Sequence, residues 1–403
     1  MRIVLLSETF SENMGYLENT LPRYLSKFGA EVHVVSADLA PYYQIKDFNK
    51  TYQGFDPGAE SRKPGKVERR DGFTIHILGH HRVLGYVRMI GLRQKLRELR
   101  PDVVQTTVAV GWLPLDAAMF KPLFGYKLFT GNSTTASVFP LASRPHRIWD
   151  RERMRVILTR TVPGFLISQV ATKSYPATVD CADVAARFLG VPRRMMQISP
   201  LGVDTELFGP PATESHRMER AEIRTHFDIK DHEILCIYTG RFTEDKNPLL
   251  LAKAVEKVRS AGEPYRGLFV GNGTQAEAIR QCDGCSVNPF VPVTELARYF
   301  RSADIGIWPT QESMSMLDAA ACGLPIIVND TLKAVERIEG NGLTYRLNDV
   351  DDLARVLLSL RSPDQRQRLG RRGAEKMRNE FGWGKIAEQR MGDYREAVKR
   401  RSH

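Results

Sequence analysis

The run DIGIWPTQESMSMLDAAACGLPIIVND, residues 304–330, sets a polar loop and a small-residue helix between two apolar strands. Residues 304–308 read as a buried strand, 309–313 as a loop, 314–322 as a compact helix stopped by Gly323, and 325–328 as the next strand. Such a unit aims the first free N–H groups of the helix at the carboxyl edge of a parallel sheet, where unsatisfied donors and the helix dipole favour an anion. In outline that is a diphosphate site. A second stretch supplies cations. A strand over 233–239 ends in Gly240-Arg241-Phe242-Thr243-Glu244-Asp245-Lys246-Asn247-Pro248, ahead of a helix over 248–260. Arg241 and Lys246 offer two cations to an anionic group. Ser315-x-x-Asp318 has two readings, a carboxylate offered to a ligand or a capping box that closes a helix start.

These residues resemble the donor-binding signature of retaining family 4 glycosyltransferases, which have the two-domain GT-B fold. In that family two Glu residues at fixed spacing contact the donor sugar and the nucleotide ribose, ahead of a helix ending in A-C-G-L-P. Ala321-Cys322-Gly323-Leu324-Pro325 matches that ending, and Asp318 stands for the second Glu with one methylene less reach. Ungapped counting puts Thr310 at the first acidic position, and Glu312 takes it only across a shorter loop. The loop from Gly240 to Pro248 resembles the family's diphosphate clamp, and S-P-L-G-V-D-x-x-x-F, ending at Phe208, resembles the close of its first domain. The resemblance implies catalytic roles for Arg241, Lys246 and Glu312. It implies donor contacts at Gly240, Gly273, Val291, Ser313, Met314, Ser315 and Asp318, and in the first domain at Gly15 and Asn132. Asn132 stands where the family carries a histidine; it can hydrogen-bond a sugar hydroxyl but cannot act as an acid or base. A single glycine at Gly15 replaces the family's pair, and its plain reading is a turn residue with positive φ.

The 403-residue chain exceeds what one core organises, so two domains are expected. The resemblance implies an α/β GT-B architecture of two Rossmann-like domains facing a cleft, 1–205 and 206–380 with a linker at about 206–232, and a helix over 381–403 returning to the first domain. An opening βαβ unit supports it: strand 2–6, a helix with Leu17, Leu21, Tyr24, Leu25 and Phe28 on one face, and strand 30–36. Pro22 then marks a helix that starts late. Residues 38–72 form a long excursion, 87–99 an amphipathic helix with a cationic face, and Pro- and charge-rich 209–231 a linker. His80 and His81 read as loop residues.

Five scattered cysteines fit a reducing compartment, and Cys282-x-x-Cys285 lacks a second ligand pair for zinc. Asp349-Val350-Asp351 precedes a helical period and caps it rather than binding metal. No cofactor or metal is expected beyond the nucleotide-diphosphate sugar itself. No stretch is apolar enough to span a bilayer and the N-terminus reads as a strand rather than a signal, so the expected place is cytoplasmic, peripheral at the inner face of the cell membrane. The net charge of +11 suits an anionic partner. From Arg144 to Arg160 six arginines meet two acids with apolar residues interleaved. Arg144, Arg147, Arg151 and Arg155 read either as a solvated face or as a patch for anionic lipid or a phosphorylated acceptor. No nucleic-acid motif accompanies the charge, so nucleic acid is not an expected partner. The expected activity is hexosyl transfer to a glycan or lipid-linked acceptor in polysaccharide biosynthesis. A nucleotide-sugar epimerase of the same fold and a non-catalytic binder of sugar nucleotide or membrane surface remain the alternatives.

Overall fold

The computed structural model describes residues 1–41, 51–52, 55, 62–142, 150–310 and 312–400. The chain forms two compact units, one of Met1–Tyr43, Pro57–Leu201 and Trp383–His403, the other of Gln44–Asp56 and Gly202–Gly382.

The first unit is built on a seven-stranded sheet of order β3-β4-β2-β1-β7-β8-β9. Its strands are β1 (Arg2–Ser7), β2 (Glu31–Ala37), β3 (Val67–Arg70), β4 (Phe73–Leu78), β7 (Val103–Thr106), β8 (Lys127–Asn132) and β9 (Lys173–Pro176), all parallel but for edge strand β3. A hairpin of β5 (His80–Val83) and β6 (Tyr86–Met89) stands apart. Helices α1 (Leu17–Lys27), α2 (Leu92–Leu99), α3 (Trp112–Phe124), α4 (Arg151–Val156), α5 (Val162–Val170) and α6 (Val179–Phe188) belong to this unit, as does the C-terminal helix Trp383–Lys399. That last helix is tied in by Tyr394, whose hydroxyl donates to Gln105, and by Asp393, which accepts from Lys173 Nζ at 2.7 Å and Tyr175 Oη at 2.7 Å.

His80 and His81, read as loop residues, instead open strand β5, paired with Met89 and Arg88. Two further expectations fail here for physical reasons. The cationic helix begins at Leu92, not at 87, because Val87 and Met89 alternate with Tyr86 and Arg88 and bury on a strand period of two. Gly91, at φ 79°, separates strand from helix. Pro22 lies inside α1, which starts at Leu17 rather than late. Burial of Leu21, Tyr24 and Leu25 on the same helix outweighs the ~3 kcal/mol an interior proline costs.

The first turn of α1 also buries Glu18, and desolvation pushes its carboxyl from 4.5 up to about 7. The raised value fixes the sign of the pH dependence. Above the folded value the group is charged in both states and folding bears the full desolvation cost. Below the unfolded value it is neutral in both and the cost is gone. Stability therefore rises by up to ~3 kcal/mol as pH falls through this window. Glu18→Gln should raise the melting temperature at alkaline pH and leave it unchanged at acidic pH, as read by calorimetry across the range.

The second unit is an all-parallel sheet of order β12-β11-β10-β13-β14-β15. Its strands are β10 (Ile234–Thr239), β11 (Tyr265–Val270), β12 (Cys285–Asn288), β13 (Ile305–Trp308), β14 (Ile326–Asn329) and β15 (Gly342–Tyr345). The flanking helices are α7 (Glu214–His226), α8 (Pro248–Ser260), α9 (Ala276–Arg280), α10 (Val293–Ser302), α11 (Ser315–Ala321), α12 (Val350–Ser359) and α13 (Pro363–Asn379). Most of the stretch read as a linker is thus a helix. Thr213 caps α7, and its Arg220 and Arg224 reach Asp304 at 2.9 and 3.4 Å. Ion-paired arginines, one of them buried, leave no apolar period to read. Asp349 caps α12 by accepting from the Asp352 N–H at 2.9 Å, as expected of the D-x-D run.

Candidate active site

The strand order of the second unit reverses between β10 and β13, the switch point where an open α/β sheet leaves a crevice beyond its carboxyl ends. Both stretches singled out from sequence leave the sheet there. β10 runs into the Arg241 loop, and β13 runs into the loop that carries Glu312.

The Arg241 loop is held by its own backbone and by glycines of the next loop. Gly240 N–H donates to Val270 O at 3.0 Å, and Phe242 N–H to Asn272 O at 2.8 Å. A Cβ at Gly271 would stand 1.9 Å from Gly240 O, and one at Gly273 would stand 2.6 Å from Phe242 O. The close approach of two backbones requires those glycines. Gly273, taken from sequence as a donor contact, therefore packs against the cation-bearing loop. Asn247, at φ 45°, turns the chain into α8.

Within this frame Lys246 reaches across to the other loop, its Nζ donating to the Glu312 carbonyl oxygen at 2.9 Å. Desolvation, reinforced by Arg241, lowers Lys246 to about 8. Arg241 itself lies 3.2 Å from the Asp245 carboxylate, four residues along the same loop, and Tyr238 Oη donates to its carbonyl at 2.9 Å. Two cations thus stand near each other at one edge of the sheet. The Glu312 carboxylate is bound by Arg337, a nearly buried side chain, at 2.7 Å. Arg337 was missed from sequence, since it sits in a short 3-10 turn with no motif around it. Asn329 donates to the carbonyls of Pro309 and Thr310 at 3.1 and 2.7 Å, and Tyr345 Oη donates to Pro309 at 2.7 Å, so the loop is pinned from beneath.

Ser313 and Ser315 share a hydrogen bond at 2.8 Å, and Ser315 Oγ donates to Thr239 O at 3.3 Å. That removes the capping-box reading. Ser315 is the first residue of α11, and its cap position, Met314, makes no side-chain cap bond. Asp318 is partly buried. Desolvation, with Asp204 adding like charge, pushes its carboxyl well above the usual carboxylate range. Asp204 belongs to the G-V-D match, and nothing around it in the sequence signals that the two acids meet. Val291 packs on the core of the second unit, and the neighbouring Phe290 ring stacks on Tyr52 with centroids 5.3 Å apart.

The two first-unit residues are placed differently. Gly15 lies in the loop ahead of α1 without a positive φ, so it is not the left-handed turn residue of its plain reading. Asn132 is buried, with Nδ2 donating to Cys181 O at 2.9 Å and Oδ1 accepting from Thr134 N–H at 3.2 Å, which commits its amide to joining β8 and α6. Arg151 and Arg155 are exposed on α4, while Arg144 and Arg147 lie outside the described residues. Among the described residues, no group of three or more His, Cys, Asp or Glu is placed to hold a metal ion, and no helix is long and apolar enough to cross a membrane.

Residues 233–362, which carry both loops, match the family model of glycosyl transferases group 1. The match lies wholly within the second unit. The chain is 28% identical over 241 residues to a D-inositol 3-phosphate glycosyltransferase of Xylanimonas cellulosilytica, covering 56% of this chain and 57% of that protein. It spans little more than half the length of the curated relatives it matches. Its structure resembles sucrose-phosphate synthase of Thermosynechococcus elongatus with a TM-score of 0.71 at 15% identity, over 99% of this chain and 100% of that one. It also resembles Anabaena HepE in complex with UDP, with a TM-score of 0.69 at 12% identity, over 97% and 99%. At such identities the likeness establishes the fold alone: two Rossmann-like domains of GT-B type, the second of which carries the residues matched by the family model.

Proposed function

We propose that this chain is a retaining, family 4-like glycosyltransferase that moves a hexosyl unit from a nucleotide-diphosphate sugar to a hydroxyl of a glycan or lipid-linked acceptor, without a metal. The observation that carries this reading is the Lys246 bridge to the Glu312 carbonyl, with Arg241 beside it, at the switch point of the second sheet. The diphosphate lies against Arg241 and Lys246, where its negative charge compensates the lysine's positive charge, which burial disfavours. Glu312, held by Arg337, fixes the loop that faces the sugar. Ser313, Met314 and Ser315 present hydroxyls and backbone at the head of α11. Asp318, held toward its protonated form, offers the ribose an O–H donor as well as an acceptor.

In the reaction the bond from the anomeric carbon to the phosphate oxygen breaks, and the acceptor oxygen bonds to that carbon on the same face. The acceptor proton passes to the departing phosphate oxygen. Two fixed cations stabilise that oxygen more as charge accumulates than before, which is the condition for raising kcat. A lipid-linked acceptor places the enzyme at the cytoplasmic face of the membrane. The choice of a nucleotide-sugar donor draws support from HepE, which is similar in fold and holds UDP, and from the inositol phosphate relative, which is a glycosyltransferase.

A panel of UDP-, GDP- and ADP-sugars tests it by thermal shift, since a ligand at a hundred times its Kd adds ~2.7 kcal/mol of stability. One base should shift the melt, and its labelled sugar should move only when an acceptor is added. Conversion of the donor alone points to an epimerase, and binding without turnover on any acceptor points to a non-catalytic binder.

A further inference from the structure

From Arg151 to Val170 the first unit carries one nearly continuous helical stretch, α4 and α5 joined through a π-helical turn over Ile157–Thr161. Apolar side chains stand on both of its faces. Inward, Val156 and Ile167 pack on the core of the first unit, and the cations Arg153 and Arg160 lie over the Phe188 and Phe139 rings, at 5.2 and 5.1 Å. Outward, further large apolar side chains meet solvent: Leu158 is 65% exposed, Val162 47%, Phe165 50% and Leu166 57%. The orientation is locked by backbone contact. A Cβ on Gly164 would stand 1.8 Å from Leu189 O, and one on Gly190 would stand 2.0 Å from Thr161 O, so the helix cannot roll to hide those side chains. Spacings of three and four residues, reset by the extra residue of the π turn, bring them onto one stripe. At the amino end of the same stripe stand Arg151 and Arg155, both exposed.

We infer that this stripe docks on an anionic lipid bilayer, with Phe165, Leu166, Val162 and Leu158 entering the acyl boundary and Arg151 and Arg155 meeting headgroup phosphates. An exposed apolar patch of this kind marks an interaction surface. The arginines select its partner by charge, since a basic apolar helix lying in the plane of the interface fits an anionic membrane. The chain's net charge of +11 draws it to the same surface. Asp150 and Glu152 flank the arginines, so the headgroup contact is made by specific side chains and not by a uniformly basic face. This deepens the proposal of a membrane-side enzyme by naming the surface that touches lipid, and it rests on the transferase reading only for the nature of the acceptor.

The test is co-sedimentation of the full chain with vesicles of phosphatidylglycerol and, in parallel, of phosphatidylcholine, in the absence of any nucleotide sugar. Binding is expected to phosphatidylglycerol and to weaken with salt. Phe165→Ser with Leu166→Ser should weaken it by at least about tenfold. Arg151→Gln and Arg155→Gln should each weaken it by about fivefold and erase the preference for the anionic lipid. All these side chains are exposed, so the melting temperature should not move, which separates loss of docking from loss of fold. Absence of binding, or binding indifferent to these substitutions, overturns the inference. So does a self-associated chain in sedimentation velocity that Phe165→Ser with Leu166→Ser makes monomeric, because a second copy would then cover the stripe. Since the assay contains no donor, its failure leaves the transferase reading standing, and loss of transfer leaves lipid docking standing.

Discussion

Lys246→Ala is expected to lower kcat by about a hundred- to a thousandfold, and Arg241→Ala by a similar factor, because each removes a fixed cation from the charge that develops on the leaving diphosphate. Geometry separates the two. Lys246 bridges the two loops through the Glu312 carbonyl, whereas Arg241 is paired within its own loop to Asp245. Lys246→Ala should therefore also weaken donor binding, while Arg241→Ala should act more on kcat than on KM. Protonation supplies a second readout. Burial and Arg241 hold Lys246 at about 8 in the free protein, and an arriving diphosphate raises it by adding negative charge. Above that pH the free side chain is mostly neutral and the bound one charged, so donor binding takes up a proton. Well below it, no uptake occurs. Calorimetry in two buffers of different ionisation enthalpy reads this directly, and Lys246→Ala should abolish the uptake. Full activity in either variant would remove the residue from the clamp.

The parts of this site legible in the sequence were those whose chemistry is local. A helix over 248–260, strands ending at Thr239 and Trp308, and the stop at Gly323 follow from apolar period, Pro at a first turn and Gly past a last one, and the structure has them within a residue or so. The partners of the site were not legible, because each comes from elsewhere in the chain. Arg337 lies in a turn beyond β14, Asp204 before α7, and Gly271 and Gly273 after β11. Nothing in their own neighbourhoods says which atoms they meet. The charged helix α7 was read as a linker for a related reason. Its buried residues are only Ile223 and Arg224, and the hydrogen bonds of Arg224 do what apolar side chains do elsewhere, so no stripe appears in the pattern. The stripe from Leu158 to Leu166 is the converse case. The sequence shows only arginines with apolar residues interleaved as far as Arg160, and it is Gly164 and Gly190 that decide which apolar side chains point outward.

Asp304→Ala is expected to destabilise the second unit by ~3–5 kcal/mol, the cost of stranding a buried charge. Asp304 accepts from Arg220 Nη2 at 2.9 Å, Arg224 Nη1 at 3.4 Å and the Leu235 N–H at 2.7 Å, joining α7, β10 and the start of β13. Arg224 is the vulnerable partner. Its side chain is 4% exposed, and burial already lowers its hold on the proton. Without the carboxylate it keeps only the carbonyls of Lys230, Glu233 and Ser302, which satisfy hydrogen bonds but not the charge. For a unit of this size the loss corresponds to a melting point lower by about 6–20 °C. Asp304→Asn keeps an acceptor for Leu235 and should recover part of it. Asp304→Leu with Arg224→Met removes the most buried cation together with the carboxylate and should recover part of the loss, since a buried ion pair and its apolar replacement are often close in stability. Arg220 keeps the carbonyls of Arg301, Ser302 and Ala303, while the Leu235 N–H loses its acceptor. That double variant also separates support from catalysis. The acid sits one residue before β13, whose far end leads into the Glu312 loop. If its role is to seat that strand, the double variant should keep its kcat at low temperature, while Asp304→Ala loses activity only in proportion to the protein that has unfolded. A kcat that falls in the folded double variant would instead mean that the carboxylate acts on the site itself.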